Sequence, residues 1–505
     1  MKCVDQVLCV FCKNIAAITS NLFLIILSCL MLNGSLLAAG GDGSSGFVLN
    51  GVDADDYSGW SVSGAGDVNG DGLNDLIIGA SSADPNGKLD AGESYVVFGR
   101  ATGFPALFEL TSLFPAVGGD GSSGFVLKGV DADDLSGGSV SGAGDLNGDG
   151  IGDLIIGANE ADPNNKPYAG ESYVLFGRST GFPALFELTS LFPAVGGDGS
   201  SGFVLKGVDS TDGSGWSVSD VGDLNGDGIG DLIIGANQAD PNNNLWAGES
   251  YVVFGRSTGF PAAFELASLY PQAGGDGSSG FVLKGVDLGD FSGISVSGAG
   301  DVNGDGLDDL IIGASFADPN NHNDAGESYV VFGRTTGFPA AFELTSLFPQ
   351  AGGDGSSGFV LKGVDSTDFT GWSVSGAGDV NGDGLDDLII GAYSADPNNH
   401  SDAGESYVVF GRATGFPAAF ELTSLFPQAG GDGSSGFVLK GVDSIDSTGI
   451  SVSGAGDVNG DDIDDLIIGA YDADPNGKSS AGESYVVFGR ATGFPAAFEL
   501  DSLFP

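Results

Sequence analysis

Six short stretches of this chain carry oxygen-bearing side chains at metal-ligand spacing. The first is Asp67-Val68-Asn69-Gly70-Asp71-Gly72-Leu73-Asn74-Asp75, in which Asp67, Asn69, Asp71 and Asp75 occupy positions one, three, five and nine. The others offer Asp145, Asn147, Asp149 and Asp153; Asp223, Asn225, Asp227 and Asp231; Asp301, Asn303, Asp305 and Asp309; Asp379, Asn381, Asp383 and Asp387; and Asp457, Asn459, Asp461 and Asp465. Hard oxygen donors at this spacing, with a glycine at position six for a sharp turn, suit Ca²⁺, which takes roughly six to eight such ligands. Asp, Asn and Gly also favour plain turns. A turn does not need three carboxylates, however, and crowding them without a cation costs repulsion, so Ca²⁺ is the expected cofactor. In the sixth loop Asp462 replaces the position-six glycine, which makes that site the weakest. Affinities on the order of 10⁻⁴ to 10⁻³ M are expected, as in extracellular modules.

These loops are not EF-hands. The bidentate Glu of an EF-hand would fall on Ile78, and the flanks Ser61-Val62-Ser63 and Leu76-Ile77-Ile78 are β-rich, which places each loop in a β-hairpin. The loops recur every 78 residues from Gly40 onward, a period that suggests propeller blades or stacked modules. One unit contains strand candidates at residues 59–64, 76–80, 94–99 and 124–128, bounded by Gly, Asp, Asn and Pro; residues 106–113 read as one short turn. Four strands per unit make a blade, so the fold class is an all-β propeller of six four-stranded blades over residues 40–505. Phe47-Val48-Leu49 repeats the fourth-strand motif ahead of the first loop, in the register for closing the ring by completing the sixth blade.

The chain has 505 residues, with 16 Lys+Arg against 68 Asp+Glu and a net charge of -52, a field that repels nucleic acid and anionic membranes. At 41% apolar content with 34 Phe it can still build a large core, and its 90 Gly suit many tight turns. Residues 1–39 read as a secretory signal peptide, or an anchor if retained: Lys2 and Lys13 precede an apolar run that ends near Ala38-Ala39. Its central stretch, Leu22 to Leu32, is short for a bilayer span. Cys3, Cys9, Cys12 and Cys29 all lie there, so removing the segment leaves a chain without thiol chemistry.

Phe98-Gly99, the loop from Asp67 to Asp75 and the run Leu76-Ile77-Ile78-Gly79-Ala80 resemble the FG-GAP repeats of integrin α-chain N-terminal propellers and their bacterial relatives. The resemblance implies a propeller whose calcium loops join the first and second strands on the bottom of the ring, serving extracellular ligand binding and adhesion. The integrin propeller has seven blades, whereas six copies occur here.

Strands that alternate in direction put the calcium loops and the long connection around residues 100–124 on one face, both nearly identical among copies. The opposite face carries the loops that differ. They hold Tyr57, Tyr168, Trp246, Phe291, Phe316, Phe369, Tyr393 and Tyr471, the candidate ligand-binding residues, together with His322 and His400. Trp60, Trp216 and Trp372 begin first strands and read as core or channel lining. The recurring Ala83-Asp84-Pro85-Asn86 with Gly92-Glu93 reads as an Asp-Pro turn with Glu93 in solvent, with a second cation site as the alternative.

The expected function is a monomeric, secreted or surface-attached recognition module for an extracellular protein or glycan, without enzymatic activity. The alternatives are a structural envelope spacer and a carboxylate-based hydrolase.

Overall fold

A computed structural model describes residues 46–504; the leader expected over residues 1–39, with its four cysteines, lies outside the described residues. The described chain falls into a small unit, formed by the segment ending at Asn50 and by Arg100–Leu110, and a large one containing Gly51–Gly99 and Thr111 onward.

The large unit holds six blades arranged as a β-propeller, and the fourth shows how the sequence builds each one. Ser295–Gly300, Asp309–Ala314, Glu327–Val331 and Gly358–Lys362 form an antiparallel sheet in chain order. Leu310, Ile311 and Ile312 are all buried, because a blade packed on both sides needs apolar residues on both faces of its strands. Gly313 lies so close to the backbone of Gly371 that a Cβ would meet its carbonyl oxygen at 1.9 Å. Neighbouring blades are tied at their inner strands: the Ser295 hydroxyl accepts the Val374 N–H at 3.1 Å, and the same bond recurs from Ser61 to Ser373.

A fifth strand extends most blades, and it comes from the following unit. Ala419–Glu421 pairs in parallel with Gly358–Lys362, as Leu185–Glu187 does with Gly124–Lys128. The segment expected to be one turn is therefore a three-residue strand followed by a 3-10 turn, Leu188–Leu191 in the second unit. Aromatic stacking reinforces the link. Phe359 lies parallel to Phe416 at 4.1 Å, and the Arg412 guanidinium sits 4.7 Å from the Phe416 ring.

One expectation is corrected. The counterparts of Val48–Asn50 pair on both edges, as Gly124–Lys128 does with Glu93–Val97 and Leu185–Glu187, whereas among the described residues Val48–Asn50 pairs in parallel with Leu107–Glu109 alone and does not join the sixth blade. The sixth blade contains three strands, and Glu483–Val487 pairs only with Asp465–Ala470 among the described residues. Its outer side is consequently bare. Phe488 is 53% exposed where its counterpart Phe410 is 7%, and at the other end of the blade series Val62 is 65% exposed where Val140 is 4%.

Candidate functional site

Each expected calcium loop joins the first and second strands of its blade and turns through left-handed backbone at position six. Glycine supplies this at Gly72, Gly150, Gly228, Gly306 and Gly384, with φ between 85° and 88°. Asp462 is forced into the same region at φ 66°. Within the first loop Asp67 accepts the N–H groups of Asp71 at 3.0 Å and Gly72 at 2.7 Å, and Asp71 accepts that of Leu73 at 3.0 Å. Asp75 is buried and accepts Val68 N–H at 3.0 Å and Gly99 N–H at 2.8 Å, which ties the loop to the Phe98-Gly99 dipeptide.

The loops also brace one blade to the next. Arg178 N–H donates to the Val68 carbonyl of the preceding loop, and Arg256, Arg334, Arg412 and Arg490 repeat the contact. The carboxylates of Asp308, Asp386 and Asp464 accept the N–H of the first residue of the neighbouring loop, at Asp223, Asp301 and Asp379.

The loops gather hard oxygen donors, but their carboxylates are partly buried and already bonded to the backbone. Burial pushes the Asp153 carboxyl up to about 8; the Gly177 and Leu146 amides oppose this, and repulsion from Asp149 and Asp145 adds to it. Asp75, Asp231, Asp309 and Asp387 are raised from the same causes. The side-chain oxygen of Asn69, at position three, is buried without a hydrogen-bond partner. The carboxylates at positions one and nine are turned onto backbone N–H groups, and among the described residues no group of three His, Cys, Asp or Glu side chains is arranged as a metal cage.

On the variable face, five of the candidate aromatics come together. Trp246 stacks on Phe291 at 6.0 Å, Phe291 meets Phe316 at 5.1 Å, Phe316 meets Phe369 at 5.2 Å, and Phe369 stacks on Tyr393 at 5.6 Å. Trp372 touches both Phe316 and Tyr393. This strip crosses the third, fourth and fifth blades. Trp372 also lines a cavity of about 480 Å³ together with Trp60, Trp216, Tyr57 and Ile294. The three tryptophans are thus walls of an open cavity and are not core residues. Tyr168 and Tyr471 stand exposed outside the strip.

The backbone beneath these rings is strained. Tyr57, Phe291 and Phe369 hold φ between 53° and 55° at a position that Gly213 fills in the third unit. Tyr168 and Trp246 hold φ 54° where other units use Asp or Ser. The Asp-Pro turn explains how the second pair is held: Asp162 accepts Tyr168 N–H at 2.8 Å, and Asp240 accepts Trp246 N–H at 2.7 Å. That motif is a turn, as expected, but Glu93 is not in solvent. It is buried and accepts the Tyr95 hydroxyl at 2.8 Å. His322 and His400 have a structural role, their Nδ1 atoms donating to the Val364 and Val442 carbonyls where Lys88 and Asn244 serve in other units.

Comparison with known proteins agrees with this architecture. The FG-GAP repeat matches residues 58–97, 136–175, 215–253, 292–331, 370–409 and 448–487. Phosphatidylinositol-glycan-specific phospholipase D of Dictyostelium discoideum is 26% identical over 61% of this chain and 29% of its own length. The Bos taurus protein of that name is 29% identical over 42% of this chain and 21% of its own length. Integrin alpha-PS2 of Drosophila melanogaster is 29% identical over 38% of this chain and 12% of its own length. The chain therefore spans less than a third of the length of these relatives. Six matched repeats folded as six blades place the chain among the FG-GAP repeat proteins, as an integrin-like β-propeller.

Proposed function

We propose that this propeller is a calcium-braced recognition module, secreted or held at the cell surface, that binds an extracellular protein or glycan on its variable face and does no catalysis. The observation that carries the reading is the aromatic strip from Trp246 to Tyr393, where five rings from three blades meet in loops that otherwise differ between units. Rigid aromatic side chains are the usual anchors of recognition surfaces. In this reading Asp67, Asn69, Asp71 and Asp75, with their equivalents in the other loops, hold Ca²⁺, which offsets the loop charge and stiffens the opposite face. The integrin relatives support an extracellular setting, and among the described residues no helix is long and apolar enough to cross a membrane.

The test is binding of the calcium-loaded protein to glycan and extracellular-protein arrays, alongside Trp246→Ala and Phe369→Ala. Saturable binding that both variants lose is expected; a face without partners on either array would leave the spacer reading. Unfolding should occur at a higher temperature in calcium than in chelator, because a ligand of the native state stabilises it. The relatives named phospholipase D raise a hydrolase reading, which predicts turnover of a phosphatidylinositol-glycan substrate. None is expected from this chain.

A further inference from the structure

The variable face combines three features that a generic docking surface does not need. Three tryptophans, Trp60, Trp216 and Trp372, come from alternate blades to wall one cavity, and the aromatic strip continues outward from Trp372. The second feature is polar: Ser81, Ser82 and Asn159, in the connections that follow the second strands of the first two blades, line the cavity between the indole walls. The third feature is charge. Glu160 is the one carboxylate among the residues that line the cavity, which include no Lys, Arg or His, in a chain of net charge -52.

From these we propose that the cavity and the strip together bind an uncharged oligosaccharide. This deepens the recognition reading above and rests on it. A sugar ring presents an apolar C–H face and a rim of hydroxyls, which match the flat indole walls and the Ser81, Ser82 and Asn159 side chains respectively. The elongated strip, running on from the cavity, fits a chain of sugars rather than one ring. The acidic field and Glu160 repel sulfated or uronate-rich glycans. Strain supports selection of these side chains: bulky aromatics at φ 53–55° occupy positions where Gly213 would be relaxed, and such cost is commonly kept at functional sites.

All four tryptophans of the sequence, Trp60, Trp216, Trp246 and Trp372, belong to this cavity or strip, so intrinsic fluorescence reports on the site directly. The full chain in calcium is titrated with neutral hexasaccharides derived from cellulose, chitin, mannan and galactan, with a heparin hexasaccharide as the acidic arm and decaproline as a peptide arm. A saturable change with at least one neutral sugar and none with heparin is expected. By calorimetry, Trp216→Ala with Trp372→Ala should weaken that sugar by about tenfold or more, the loss of stacking at two walls, while Trp372→Phe keeps most of the affinity. Far-UV circular dichroism and thermal unfolding identify any variant that fails to fold, and the Phe variant then carries the comparison. Silence across all four neutral sugars, or equal affinity in the double variant, overturns the proposal. If decaproline or an array protein binds while the sugars do not, only the sugar assignment fails; if nothing binds in any format, the recognition reading fails with it.

Discussion

Tyr57, Phe291 and Phe369 sit in left-handed backbone that costs a bulky L-residue about 1–2 kcal/mol. Tyr57→Asn keeps the backbone shape with a residue that tolerates it. It should therefore raise stability by about 0.5–1 kcal/mol in urea unfolding. A second residue-scale effect comes from the buried Glu405, which accepts the Tyr407 hydroxyl at 3.0 Å. Burial pushes its carboxyl from 4.5 up to about 7, against the opposing Tyr407 hydroxyl and Lys440. The folded state thus holds the proton more tightly than the unfolded chain does. The resulting stability is complete below pH 4.5 and is lost as pH rises through about 7. Glu405→Gln keeps an acceptor for Tyr407 and removes the charge. We expect it to flatten the dependence of melting temperature on pH between about 5 and 7, and to stabilise the protein at pH 8 by on the order of 1–3 kcal/mol. The sequence shows which aromatics vary between units, but neither their strained backbone nor the burial of Glu93 and its equivalents. Both arise from contacts along and between strands, such as Asp240 with Trp246 N–H, that composition does not reveal.

At the scale of the element, the turn that joins the first two strands of each blade is legible because its constraints are local: the spaced Asp and Asn residues and a position-six glycine lie within nine residues. The fifth strand is not, since Leu185–Glu187 has only three residues and its partner, Gly124–Lys128, lies in the preceding unit. The sixth loop offers the sharpest test of the local argument. Asp462 holds φ 66° where the other loops place glycine, and its N–H still donates to Asp457 at 2.9 Å, so the turn forms under strain. Asp462→Gly should relieve that strain and raise stability by about 0.5–1 kcal/mol in chelator. In calcium, the variant should take up the ion at the sixth loop at lower concentration than the parent. An unchanged titration curve would separate the turn geometry from the cation affinity.

At the scale of the whole molecule, a 78-residue period was enough to specify six blades, because each unit carries its own strands and loops. The pairing of Phe47-Val48-Leu49 was not legible. The other copies of this motif pair on both edges, as Gly436–Lys440 does with Glu405–Val409 and Ala497–Glu499, and which edges are taken depends on contacts between residues far apart in the chain. What the fold leaves at its last blade can be measured. Phe410 packs between Phe437 at 5.9 Å and Phe494 at 6.2 Å and is nearly enclosed, so Phe410→Ala should cost about 3–5 kcal/mol. Phe488 occupies the same place in the sixth blade, with over half its surface in water and no following blade packed on it among the described residues. Truncating it removes little buried area and leaves no enclosed void, so Phe488→Ala should cost less than about 1 kcal/mol. Urea unfolding of both variants at one protein concentration checks the contrast. Equal losses would show that the outer face of the sixth blade is covered in solution, and repeating the comparison at tenfold dilution would tell an intermolecular cover, which weakens, from an intrachain one, which does not.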